Sequence, residues 1–263
     1  MKFNILHFDT LGSTNTEAIN QARLGAEEGL CVIARQQTAG RGRHGRNWVS
    51  QNDAGLYFSI VLRPQIETRF LPLITLMAGI AVFDTLQEYG LKPDIKWVND
   101  ILIGEKKISG ILAETVETAR GLAVIVGIGI NLKSSDFSPE IAEIATSIEL
   151  ETHKLVNAED IANTLTRFLA FFYEILSGEN GPKTILAEWQ RRSSYFIGKR
   201  VRVVLEKNET VTGTTDGLED NGALRVKTSL GLIKIIQAGD VENLRESKVG
   251  RANSRSRLTT HDS

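Results

Sequence analysis

The stretch of residues 121–132 constrains the fold more than any other. Its sequence, GLAVIVGIGINL, carries no charge over twelve residues. It is a long apolar run, but a membrane-crossing helix needs about 20 residues. It therefore reads as a long buried strand over 122–132. Side chains alternate across a strand, so Val126, Ile128 and Ile130 share one face and Gly127, Gly129 and Asn131 share the other. The first face is core. The second is bare at two successive positions and then carries an amide. Glycine inside a strand often marks close approach by a ligand or another backbone, although tight packing against a helix is a plain alternative. A dinucleotide fingerprint is excluded, because the third glycine and following helix are absent.

Around this strand the pattern alternates short strands with helices. Strands are expected over 2–8, 30–34 and 56–62, and as a pair over 95–103 and 108–114 joined by a turn at Gly104-Glu105-Lys106. Thr14-Asn15-Thr16-Glu17 matches a capping box for a helix ending near Leu24. Further helices are expected from Leu71-Pro72 to Gly90, over 159–176 closed by Gly178, and over 182–192. Near Ser193 the texture changes to five short strands, over 200–206, 210–215, 224–228, 232–237 and 241–244, with Asn221-Gly222 as a hairpin signal. That spacing predicts a small barrel. Residues 1–192 thus read as one domain and 193–246 as a second, with 247–263 a polar, basic, disordered tail.

Bulk properties exclude several classes. The 263 residues carry a formal net charge of -1, so no general basicity points to nucleic acid or an anionic membrane. The single cysteine, Cys31, lies in an apolar strand and fits a reducing cytoplasm. The four histidines have no metal-ligand spacing.

Three further segments look chemical. Gly40-Arg41-Gly42-Arg43-His44-Gly45-Arg46 leads to Trp48, and no acidic residue falls between Glu28 and Asp53. Glycines let the backbone approach a ligand, and arginine forks suit phosphate or carboxylate. With no apolar side chain to bury, residues 40–46 are expected to be mobile until an anion arrives. The plain alternative is an Arg/Gly loop that binds RNA nonspecifically. The second segment, Lys96-Trp97-Val98-Asn99-Asp100 with Lys106-Lys107-Ile108-Ser109-Gly110, brings Asn99 and Lys107 together at paired strand ends; solvated turn lysines are the alternative. The third, Ser13-Thr14-Asn15, offers three hydrogen-bonding side chains at a helix start, with Gln36 and Gln37 as further candidates; helix capping alone would explain Thr14.

Taken in order, Ser-Thr-Asn, Gln-x-x-Gly-Arg-Gly-Arg-x-Gly-Arg-x-Trp, Lys-Trp-x-Asn-Asp, Lys-x-x-Gly-Ile-Leu and Gly-x-Gly-x-Asn resemble the active site of the biotin protein ligase family, over about residues 3–245. The resemblance implies an α+β fold: a catalytic domain like that of class II aminoacyl-tRNA synthetases, with a mixed, largely antiparallel sheet and helices, plus a C-terminal SH3-like barrel. It implies that biotin and ATP form biotinyl-AMP, with Mg²⁺, and that biotin passes to a lysine of a biotin carboxyl carrier protein in the cytoplasm. By the same resemblance Ser13, Thr14, Asn15 and Gln37 read the ureido ring. Arg41, Gly42 and Arg43 wrap carboxylate and phosphate, and Lys107 binds the reacting oxygens; Lys107, Arg41 and Arg43 are the catalytic set. Gly110, Gly127 and Gly129 leave room for the ligand, and Trp48, Lys96, Asn99 and Asn131 serve nucleotide and metal. Val98 stands where the family often has proline. Some members carry a helix-turn-helix before Ser-Thr-Asn; only twelve residues precede Ser13 here, so no specific DNA binding is expected. A homodimer is left open. Lipoate ligases, with the same chemistry on a related fold, are the nearest rival; the arginine-rich loop argues for biotin.

Overall fold

The structure, a computed structural model, describes residues 1–134, 137–205 and 209–244. The expected tail over 247–263 and the end of the expected strand over 200–206 lie outside them. A seven-stranded sheet runs in the order β1-β2-β3-β7-β6-β5-β4. Its strands are β1 (Asn4–Leu11), β2 (Leu30–Gln37), β3 (Gly55–Leu62), β4 (Pro93–Lys96), β5 (Asp100–Ile103), β6 (Lys106–Thr118) and β7 (Gly121–Asn131). Only β1 and β2 pair in parallel; the other five pairings are antiparallel. The sheet is therefore mixed and largely antiparallel, as the resemblance implied.

The alternation in β7 has the predicted consequence. Val124, Val126, Ile128 and Ile130 enter a core shared with α2 (Leu73–Glu88), α5 (Ala158–Ser177) and α6 (Gly181–Arg192). On the opposite face Ala123 and Ile125 lie under α1 (Thr14–Arg23), packed with Ala18 and Ala22. That helix covers only part of the strand. Its first turn ends over Gly127, against which Asn15 rests; beyond it come Gly129 and Asn131. Burial at roughly 25 cal/mol per Å² of apolar surface rewards both packed faces. It gives nothing at the glycines, so their face is left to another use.

Several expectations need correction. Thr68–Glu88 is long and apolar enough to cross a membrane, which a count of unbroken apolar runs misses; here it contains the core helix α2, covered by the sheet and by α5 and α6. The single strand expected over 95–103 is a β4–β5 hairpin, with Lys96 opposite Asp100 and a tight turn at Trp97–Asn99. The Trp97–Val98 peptide in that turn is cis. Two short helices, α3 (Pro139–Ile144) and α4 (Ile148–Thr152), were not anticipated. The capping box is absent: the N-cap of α1 is Ser13 and its side chain makes no capping hydrogen bond.

The second sheet is antiparallel, ordered β11-β10-β9-β8-β12. It comprises β8 (Ile197–Val204), β9 (Thr210–Leu218), β10 (Leu224–Lys227), β11 (Ile233–Ile236) and β12 (Asp240–Asn243). Gly222, with φ of 85°, makes the β9–β10 turn. Val201, Val203, Leu224 and Val241 run into the same core as Leu73 and Trp97. The buried Trp97 indole donates to the Gly222 carbonyl at 2.9 Å, so the second sheet is pinned beside the β4–β5 turn.

Candidate functional site

The Gly127–Asn131 strip of β7 floors a cavity of about 580 Å³, and every residue that the resemblance assigned to the site lines it, whereas the further candidate Gln36 does not. Gly110 of β6 lies opposite Gly129, and Leu112 opposite Gly127. The structure refines what the glycines do. A β-carbon at Gly127 would stand 2.0 Å from Asn15 Oδ1; at Gly129, 2.5 Å from Trp48 Cε2; at Gly110, 2.9 Å from Trp48 Cζ3. The room is thus made first for an amide and an indole, and Trp48 belongs to the floor. Its Nε1 is buried with no hydrogen-bond partner.

At the end beside α1 the cavity is lined by neutral hydrogen-bonding side chains, with the Glu114–Arg41 ion pair against Asn15. Gln37 Oε1 accepts from the Thr14 backbone N–H at 2.8 Å, and Gln37 Nε2 donates to Ser50 Oγ at 2.8 Å. Asn15 Nδ2 donates to the Leu112 carbonyl at 3.2 Å and to Glu114 Oε2 at 2.8 Å. Ser59, fully buried on β3, touches both helix residues: its Oγ lies 2.8 Å from Thr14 Oγ1 and 2.6 Å from Asn15 Oδ1. Buried polar atoms left unpaired are costly, and here they are paired with one another while Ser13, Thr14 and Asn15 still line the cavity.

The other end is cationic. Lys107 Nζ lies 2.6 Å from Asp100 Oδ1 and 5.4 Å from the Trp48 ring centre, and Lys96 Nζ is 3.6 Å from Asp100 Oδ2. Arg41 reaches back towards α1 and pairs at 2.5 Å with Glu114 Oε2, the oxygen that Asn15 also contacts. Arg43 donates to Asn99 Oδ1 at 2.9 Å and to the Gly239 carbonyl at 3.3 Å. Burial holds its guanidinium below the ordinary arginine value. Arg46 pairs with Asp240 of β12 at 2.5 Å. Burial pushes the Asp240 carboxyl up, but Arg46 and Arg43 outweigh it and hold it below the ordinary aspartate value. The loop is further closed by the Trp48 N–H donating to the Gly40 carbonyl at 2.9 Å.

The comparisons agree with this geometry. Residues 8–131 match the Biotin/lipoate A/B protein ligase family, and residues 196–242 match the Biotin protein ligase C terminal domain. The bifunctional ligase/repressor BirA of Bacillus subtilis is 38% identical over 248 residues, covering 91% of this chain and 74% of that protein. The chain belongs to the biotin protein ligase family. A biotin--[acetyl-CoA-carboxylase] ligase of Paracoccus denitrificans is 33% identical, over 87% of this chain and 96% of its own. The biotin protein ligase from Aquifex aeolicus, solved in complex with biotin and ATP, matches with a TM-score of 0.80 and 28% identity, over 92% of this chain and 99% of that one.

In this ligase the arginine loop finds acidic partners that sequence reading did not supply. Glu114 is 73 residues from Arg41, and Asp240 is 194 residues from Arg46; no local pattern links them. Asp100 was visible in the motif, but its place between two lysines was not. Asn131 lines the cavity, and its Nδ2 donates to the Thr146 carbonyl at 3.0 Å, which ties β7 to the segment before α4. That segment adds an apolar wall, with Phe137, Ile141 and Ala145 on the cavity. Among the described residues no group of three or more His, Cys, Asp or Glu stands together. A dedicated metal cage is therefore not built here. Mg²⁺ bound mainly through phosphates and water needs only one or two protein carboxylates, and Asp100 beside Asn99 suits that.

Proposed function

We propose that this ligase activates biotin with ATP as biotinyl-5'-AMP and then transfers biotin to a lysine of a biotin carboxyl carrier protein. The observation that carries it is the pairing of a largely buried end, lined by neutral hydrogen-bonding side chains, with a cationic end along one glycine-bearing floor. Ser13, Thr14, Asn15 and Gln37 suit the ureido ring of biotin. The dithiolane ring of lipoate has no such donors or acceptors to pair there, and the C-terminal match is to a biotin ligase domain.

In the first step a biotin carboxylate oxygen attacks the α-phosphorus of ATP, the bond to the β-phosphate bridging oxygen breaks, and pyrophosphate leaves. Both reactants are anions. Lys107, Arg41 and Arg43 hold them in line and stabilise the charge that develops, with Gly42 allowing the backbone close. For these arginines to do so, Arg41 exchanges Glu114 for the ligand. Lys96 and Asn99 flank the phosphates, and the wall of Phe137, Ile141 and Ala145 is placed to cover the adenine. Mg²⁺, when bound with ATP, supplies charge neutralisation on the phosphates, held by Asp100 and Asn99. In the second step the carrier lysine amine attacks the acyl carbon, AMP leaves with the former carboxylate oxygen, and the amine loses a proton.

We place the catalytic unit in residues 1–192 and the smaller unit in 193–246. The free, buried Cys31 suits a reducing cytoplasm. The test is pyrophosphate release with ATP and either biotin or lipoate, followed by mass spectrometry of a carrier domain. Release with lipoate and none with biotin refutes the reading.

A further inference from the structure

We infer that Ser59, which does not line the cavity, sets substrate specificity by turning the Thr14 hydroxyl into a hydrogen-bond acceptor only. The inference rests on the biotin reading above. It follows from counting hydrogens along a buried chain of contacts.

The chain starts at Asn15. Its amide has two acceptors on one side, the Leu112 carbonyl and the Glu114 carboxylate. Neither can donate, so the NH₂ must face them and Oδ1 must face Ser59. Asn15 Oδ1 can only accept. It lies 2.6 Å from Ser59 Oγ, a separation that two oxygens reach only with a hydrogen between them. The single Ser59 hydrogen is therefore committed to Asn15. Ser59 Oγ also lies 2.8 Å from Thr14 Oγ1, again hydrogen-bond distance. That hydrogen must come from Thr14.

The remaining contact agrees. Thr14 Oγ1 is 3.2 Å from Gln37 Oε1, longer than the usual O–H···O range of about 2.5–3.0 Å. Gln37 Oε1 is already served by the Thr14 N–H at 2.8 Å. With its one hydrogen pointed into the protein, the Thr14 hydroxyl offers the cavity lone pairs alone. Such a group binds an N–H and repels an oxygen. A ureido ring presents N–H groups at its two sides; a ring with oxygen at the matching position sets lone pair against lone pair. Ser59 is a positioning residue: it acts through Thr14.

The probes are biotin and its two cyclic carbamate analogues, each with one ureido N–H replaced by ring oxygen. Calorimetry on the full chain gives the affinity ratio of biotin to each. In the parent, one carbamate binds roughly 5- to 100-fold more weakly, the scale of an unmet buried polar group. In Ser59→Ala the Thr14 hydroxyl rotates freely and can donate to the carbamate oxygen, so that ratio shrinks at least fivefold. Ser59→Cys, a weak donor of similar shape, gives an intermediate ratio and covers the case in which the alanine variant does not fold. In a Thr14→Val background, Ser59→Ala leaves the ratio unchanged. A purely structural role for Ser59 would weaken all ligands together and leave the ratios alone. Unchanged ratios in a folded Ser59 variant overturn the inference. No biotin binding by the parent overturns the functional reading, and this inference with it.

Discussion

Gly129→Ala adds one methyl group to the floor, and the structure says what it meets. The new β-carbon would stand 2.5 Å from Trp48 Cε2 and 2.7 Å from Cζ2 and Nε1. Comfortable carbon contacts begin near 3.5 Å, so the ring must retreat by about 1 Å. The backbone at 48 is held by its hydrogen bond to Gly40. The retreat therefore falls on the side chain and carries the indole off the floor into the cavity. Overpacking of this kind costs about 1–3 kcal/mol, which predicts biotin affinity lower by about 5- to 150-fold. Gly129 has an ordinary strand backbone, outside the positive-φ set, so alanine adds no backbone strain, and any fall in melting temperature reports only the overpacking against Trp48. Calorimetry with biotin measures the loss. The double variant Trp48→Ala, Gly129→Ala should show the glycine substitution to be nearly harmless once the ring is gone. Parent-like affinity in folded Gly129→Ala refutes the reasoning.

Three other outcomes are expected. Lys107→Ala lowers pyrophosphate release about 100- to 1,000-fold in a protein of nearly unchanged stability, because the pair it leaves, with Asp100, is partly exposed; release at the parent rate counts against the assignment. Asp240→Ala frees Arg46 and takes the 3.9 Å carboxylate from Arg43, so amide exchange over residues 41–46 accelerates without ligand and slows again with biotin and ATP. Because the Asp240 carboxyl titrates below its ordinary value of about 4, the tie is present at neutral pH and is lost only as pH falls through that lowered value; equal exchange in parent and variant at pH 7 would show that the tie does not hold the loop. Burial pushes the Cys31 thiol up to about 12, so iodoacetamide at pH 8 should label it only after denaturation, and labelling of native protein contradicts the burial.

What was legible in the sequence had a local cause. The two faces of β7 followed from period two, and Gly178 and Gly222 marked a helix end and a hairpin where the chain needs them. The β4–β5 turn was hidden because Ile95, Trp97 and Ile101 keep the strand alternation through it, and Trp97 is buried like a strand residue. The helices α3 and α4 have six and five residues, too few to show a 3.6-residue period; only Ser138 and Ser147, which cap them, gave any sign. The site residues themselves stood in motifs. Their partners, Ser59, Glu114 and Asp240, did not, since each is brought in by the fold from a distant strand. The acidic partners of the arginine loop were hidden for that reason: charge was counted along the chain, while compensation came across space.

The shortfall of α1 against β7 also acts as a ruler. The helix stops beside Gly127, where Asn15 sits, and Lys107 reaches over Gly110, opposite Gly129. Two strand residues separate these stations, roughly 7 Å at 3.3–3.4 Å each. Asn15 of α1 rests against β7 and Lys107 belongs to β6, which pairs with β7, so on the roles proposed for them the interval favours one length of acid. A chain one methylene longer or shorter would seat its ring and still hold its carboxylate about 1 Å out of line, a misplacement that can cost about 100-fold in rate. Recognition of the ring and selection of the chain length are then two readings of a single distance along β7.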